Sequence, residues 1–152
     1  MSNIIVRQTT ESFLIKKILT DTELYKLISE DIGELSSDID FSLLPNFYFL
    51  EAIKDDETIG IYVGHYFNNT TLQGHINILP SHWGDNVEVT GLCIEWVWNN
   101  TDYQKIIGFI PEDASVVIAH AISAGFSEEG RLKNSVVFNG NLQDQVIVGI
   151  NK

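Results

Sequence analysis

A chain of 152 residues has room for one domain with one core. Its net charge of −12 excludes nucleic-acid backbones and anionic membrane surfaces as bulk partners, since phosphate binding wants clustered Lys and Arg. The single cysteine, Cys93, excludes an intrachain disulfide framework and reads as a packing residue in an apolar helix. The N-terminus lacks a basic region followed by a long apolar run, and no window is long enough for a membrane span. A cytoplasmic, single-domain protein over residues 1–152 is therefore expected.

In chain order, Ile4–Gln8 is a short β-rich run. A Thr cap at Thr9 or Thr10 starts a helix through Phe13, Leu14, Lys17 and Ile18. A second helix is predicted from Asp21, and residues 31–42 read as an acidic, Ser-rich surface loop. From Phe47 the apolar period becomes two: strands at 47–53, 58–67 and 72–80 form a meander separated by polar turns. A helix from about Val87 to Asn100 follows, with Val87, Gly91, Ile94, Trp96 and Trp98 partly at helical spacing and a deeply buried Trp-rich end. Residues 105–111 are a continuous apolar strand, the kind covered on both faces. Residues 114–124 are a helix with Gly125 as its C′ residue. Strands at 126–132 and 135–138, an Asn139-Gly140 hairpin turn and a strand at 145–150 close the chain. The order is β-α-α-β-β-β-α-β-α-β-β.

The stretch from Gly74 to Trp98 organises this pattern: a strand ending at Pro80, a loop holding Gly84, then a helix N-terminus. Backbone N–H groups at such a junction can meet an anion. On the strand, His75 and Asn77 share one face, and His65 comes near them across the hairpin. His75 and Glu51, a carboxylate in an apolar strand, are the candidate general bases. The alternative reading makes His75 a hydrogen-bonded structural residue and Glu51 an edge or solvent-face residue. Four histidines without ligand spacing make no case for a metal.

This order, the segment Ile76-Asn77-Ile78-Leu79-Pro80, the run Ala124-Gly125-Phe126-Ser127-Glu128-Glu129-Gly130, and Asn139-Gly140 with Asp144 together resemble the GNAT (GCN5-related N-acetyltransferase) superfamily. The resemblance implies an α+β, three-layer α/β/α fold with a mixed, mostly antiparallel sheet. More narrowly, residues 75–80, Trp96 and the run 103–108 resemble phage-encoded GNAT-like proteins, some described as head-assembly factors.

The resemblance implies an acyl-CoA loop at Ile78, Leu79, Pro80, Gly84, Asp85, Asn86, Val87 and Glu88, with Trp83 where a basic residue is usual. Asp85 and Glu88 read as carboxylates that satisfy the helix N-terminus themselves and repel a pyrophosphate. The Tyr that commonly protonates the leaving thiolate in the family falls at Ala121, and the family Asn at Ala114. Trp83 reads as a solvent-facing contact residue for a protein partner or self-association. The favoured expectation is a non-catalytic protein with a degenerate acyl-CoA site, acting through protein contacts in the host cytoplasm or the virion, with no cofactor. The alternative is an acetyl-CoA-dependent N-acetyltransferase acting on an unidentified amine.

Overall fold

The computed structural model describes residues 2–21 and 46–152. The predicted helix from Asp21 and the loop at 31–42 lie almost wholly outside these residues. Described in chain order are β1 (Ile4–Gln8), α1 (Ser12–Leu19), β2 (Phe47–Lys54), β3 (Glu57–Tyr66) and β4 (Thr71–Ile78). A 3-10 segment, Pro80–Asp85, leads into α2 (Asn86–Asn100), followed by β5 (Lys105–Pro111), α3 (Ser115–Ser123), β6 (Ser127–Phe138) and β7 (Asn141–Asn151). The strands form a seven-stranded sheet in the order β1-β2-β3-β4-β5-β7-β6. Every neighbouring pair is antiparallel except β4 and β5.

Local chemistry explains the two tight hairpins. Asp55 and Asp56 take positive φ between β2 and β3, as do Asn139 and Gly140 between β6 and β7. Two left-handed residues make the turn whose twist matches that of paired strands, and Asp, Asn and Gly tolerate it best. The two strands expected at 126–132 and 135–138 are one strand, β6, with an irregular register between Leu132 and Val136. Asp144 stabilises that irregularity: its carboxylate accepts from the Asn134 backbone N–H at 2.9 Å and from Lys133 Nζ at 3.0 Å. The Asn134 bond first, then Lys133, holds the Asp144 carboxyl below its usual range.

The helices cover both faces of the sheet. Alternation along β2 sends Leu50 and Ala52 to one side, where they meet Val89, Cys93 and Val97 of α2. Phe49 points to the other, where Ile61 and Val63 of β3 meet Ile15 and Ile18 of α1. On the α2 side, α3 packs through Val117, Ile118 and Ala121 onto Ile110, Val146 and Val148. Burial pushes the Cys93 thiol up to about 12, consistent with a packing residue.

Two helix faces differ from expectation. The α2 face that is buried runs through Asn86, Val89, Thr90, Cys93, Ile94 and Val97, while Val87 is 44% exposed. Trp96 and Trp98 are only partly buried, so the deep end of this helix is aliphatic. In α1 no side chain caps the start, and Phe13 is 80% exposed. Thr9 instead turns the chain, its Oγ1 accepting from the Glu11 backbone N–H at 3.2 Å. Among the described residues no helix is long and apolar enough to cross a membrane.

Candidate active site

The parallel pair at the sheet's centre is short. β4 and β5 pair only at Thr71–Lys105, Leu72–Ile106 and Gln73–Ile107. Beyond that point β4 continues to Ile78 on β3, and β5 continues to Pro111 on β7, with no pairing between them. The sheet is forked there. Residues 74–78 and 108–111 face each other across the gap, and among the described residues no strand pairs with their facing edges. Gly74 and Gly108 sit where the fork closes: a Cβ on Gly108 would lie 3.7 Å from the Gly74 carbonyl oxygen. A Cβ on Gly74 itself would come within 2.5 Å of the Tyr62 hydroxyl, so this position must stay bare.

The fork opens into a cavity of about 470 Å³, a size suited to a small-molecule site. Its walls belong to both faces of the sheet. Ile76, Ile78, Tyr62, Trp83, Asn86, Thr90, His120 and Ala121 line it on the α2 and α3 side. Leu19, Val63, His65 and His75 line it on the α1 side, since His75 pairs with Val63 in register and shares its face. The cavity therefore has walls on both faces of the sheet.

On the α1 side, His65 Nε2 and His75 Nε2 lie 3.1 Å apart, with their rings stacked. Phe47 stacks on the far side of His65, 5.2 Å between ring centroids. Crowding of the His75 ring by protein, and then the neighbouring His65, lower the His75 pKa to about 4. His75 is thus neutral at pH 7, and its Nε2 is bonded to His65 Nε2 and to the Gln73 amide nitrogen at 3.4 Å. Asn77 is buried, its amide N–H donating to the Ile61 carbonyl at 3.1 Å.

The other expected base is elsewhere. Glu51 is not at an edge or on a solvent face: it is 4% exposed, accepting from Arg7 Nε at 3.0 Å and from the Thr58 hydroxyl. It does not border the cavity, and its two partners make it a strand-to-strand tie. Glu51→Gln is expected to cost about 1–3 kcal/mol in chemical denaturation by weakening that tie.

Three expectations about the loop also need correction. Trp83 does not project into solvent as a contact residue; its indole N–H donates to the Ile78 carbonyl at 3.0 Å and its ring packs on the α2 core. Asp85 does not cap α2, whose N-terminus carries no side-chain cap. Its carboxylate is taken by Lys54 Nζ at 2.8 and 2.9 Å and by His82 Nδ1 at 3.3 Å. The Lys54 bond first, then His82, keeps Asp85 below the usual carboxylate range, and the same bond raises Lys54. Glu88 accepts from the Ser2 hydroxyl rather than from its own helix. The Asp85 charge is thus matched by Lys54, while Glu88 remains the acidic side chain of the first turn of α2.

Of the predicted acyl-CoA loop, Ile78 and Asn86 border the cavity, whereas Leu79, Pro80, Gly84, Asp85, Val87 and Glu88 do not. The expected loop around Gly84 is a 3-10 turn, and space above Gly84 is open, since a Cβ there would touch nothing within 4 Å. Ala121 lies on the cavity wall without a hydroxyl, but its neighbour His120, which sequence reasoning passed over, lies there too. Among the described residues no three His, Cys, Asp or Glu side chains converge on a metal position.

A seven-stranded mixed sheet forked between β4 and β5, with α2 and α3 on one face and α1 on the other, is the GNAT fold of acetyltransferases. It is similar to spermidine N-acetyltransferase from Vibrio cholerae in complex with CoA and spermine, at TM-score 0.81 and 16% identity over 97% of this chain and 95% of that one. An acetyltransferase of the GNAT family from Streptococcus pneumoniae is similar at TM-score 0.73 and 14% identity, covering 98% of this chain and 99% of that one. No family model matches the sequence, and no curated protein matches it significantly. The expectation of a non-catalytic, phage-type assembly protein is overturned by these likenesses, which are to acetyltransferases, one of them bound to CoA.

Proposed function

We propose that this chain is an acetyl-CoA-dependent N-acetyltransferase. The observation that carries the reading is the cavity with walls on both faces of the forked sheet, a neutral histidine on one face and an uncapped helix N-terminus beside the other. The facing edges of residues 74–78 and 108–111 can bond an extended, amide-bearing arm. At the α2 N-terminus Lys54 pairs with Asp85, which leaves Glu88 as the acidic side chain of the first turn. The backbone N–H groups there can take the phosphates of the same substrate. The acceptor amine enters from the α1 side. As its nitrogen attacks the thioester carbonyl, His75 takes the proton that the nitrogen sheds, and His65 stands within reach to share it.

Acetyl-CoA at 100 times its Kd is expected to stabilise the fold by about 2.7 kcal/mol, raising Tm by roughly 5–10 °C. In Lys54→Met the Asp85 carboxylate loses its strongest partner beside the helix start, and the rise in Tm at the same acetyl-CoA concentration should shrink. No rise in the parent protein at millimolar acetyl-CoA would defeat the reading.

A further inference from the structure

On the α2 and α3 side of the cavity, three polar side chains form a chain that ends on a ring nitrogen. Thr90 Oγ1 donates to Asn86 Oδ1 at 3.2 Å, which turns the Asn86 amide N–H away from Thr90. That N–H meets His120 Nδ1. Asn86 and Thr90 are both buried, so their orientation is set by the fold and not by solvent. All three line the cavity. An amide nitrogen can only donate, so Nδ1 is assigned as the acceptor and the ring N–H to Nε2. Among the described residues Nε2–H has no partner.

We propose that His120 Nε2–H is the hydrogen-bond donor for the sulfur that leaves the thioester, with Asn86 and Thr90 as its positioning residues. The inference rests on the acetyltransferase reading above. Strand alternation puts His75 on the α1 side of the gap, and α3 carries His120 to the other, so proton acceptor and sulfur ligand flank the reacting carbon from opposite faces. In the step, the amine nitrogen forms a bond to the carbonyl carbon and the carbon–sulfur bond breaks. The amine proton passes to His75, and the electron pair leaves on sulfur as a thiolate. His120 Nε2–H stabilises that thiolate without transferring its proton, and water protonates the sulfur on release. A bond from a neutral donor to an ionised acceptor is among the stronger hydrogen bonds a site can offer.

Titration calorimetry with CoA and with desulfo-CoA, which lacks the sulfur, tests this at pH 7 and pH 9. The protein should prefer CoA over desulfo-CoA by about tenfold more at pH 9, where the thiol ionises. His120→Leu should abolish that gain, and His120→Gln, which keeps an N–H donor at similar reach, should retain most of it. In parallel, ¹⁵N NMR of the unliganded protein should show the His120 proton on Nε2, and Asn86→Asp should move it to Nδ1. A preference that survives in His120→Leu, or a proton found on Nδ1 in the parent protein, overturns the assignment. Should His120→Leu fail to fold, the NMR result on the parent protein decides. Failure of both CoA and desulfo-CoA to bind would instead remove the acetyltransferase reading, and this inference with it.

Discussion

His75→Ala is expected to lower acetyl transfer by about 10²- to 10⁴-fold with little change in the affinity for acetyl-CoA, the loss typical of a positioned proton acceptor. The measurement is steady-state turnover beside binding of acetyl-CoA to the same variant. Equal weakening of binding would make His75 a wall residue. Its pKa of about 4 sets the pH behaviour. Protonation silences a base, so the acid limb due to His75 should fall near pH 4 and not near the ordinary histidine value. Stability follows the same sign. Between about pH 6.5 and 4 the unfolded chain binds a proton that folded His75 refuses, so stability rises with pH across that window. As pH falls through it, that contribution is lost. His75→Gln should flatten the pH dependence of Tm there.

Leu72→Ala is expected to cost about 2–5 kcal/mol in chemical denaturation. Leu72 is fully buried and pairs with Ile106 at the point where the fork closes. Its side chain also lies over Gly64, where a Cβ would come within 2.8 Å of it. Shortening it empties the α2 core at the only place where β4 and β5 hold each other. A cost under 1 kcal/mol would mean that α2 and its neighbours refill the space, and that the fork does not depend on this contact.

Among the described residues the order of elements was legible because it is written locally. Period-two alternation from Phe47 onward, the Asn139-Gly140 turn and Gly125 after α3 each act within a few residues, and each appears where the pattern places it. The proximity of His65 to His75 was legible too, since a hairpin register brings them together. What was not legible depends on partners far along the chain. Asp85 reads as a helix cap until Lys54, 31 residues earlier, takes its carboxylate. Glu51 reads as exposed until Arg7, 44 residues away, is seen beside it. His120 carries no motif, and the role proposed for it rests on its contact with Asn86, 34 residues before it. Trp83 misled because a large aromatic in a polar loop looks like a contact residue, whereas its N–H is committed to the Ile78 carbonyl.

The three-pair junction of β4 and β5 has a mechanical consequence. It is a seam: the sheet is two antiparallel halves, β1 to β4 and β5 to β7, stitched by a few rungs and strapped by α2 and α3. Opening of such a seam is cheaper than unfolding either half, so the amides of residues 71–73 and 105–107 should exchange with deuterium by a local route. A molecule wedged in the gap would act as a clasp, slowing exchange in rungs it never touches. The gap proposed to take a substrate is then the place where the protein is most easily parted, and where occupancy would hold it shut.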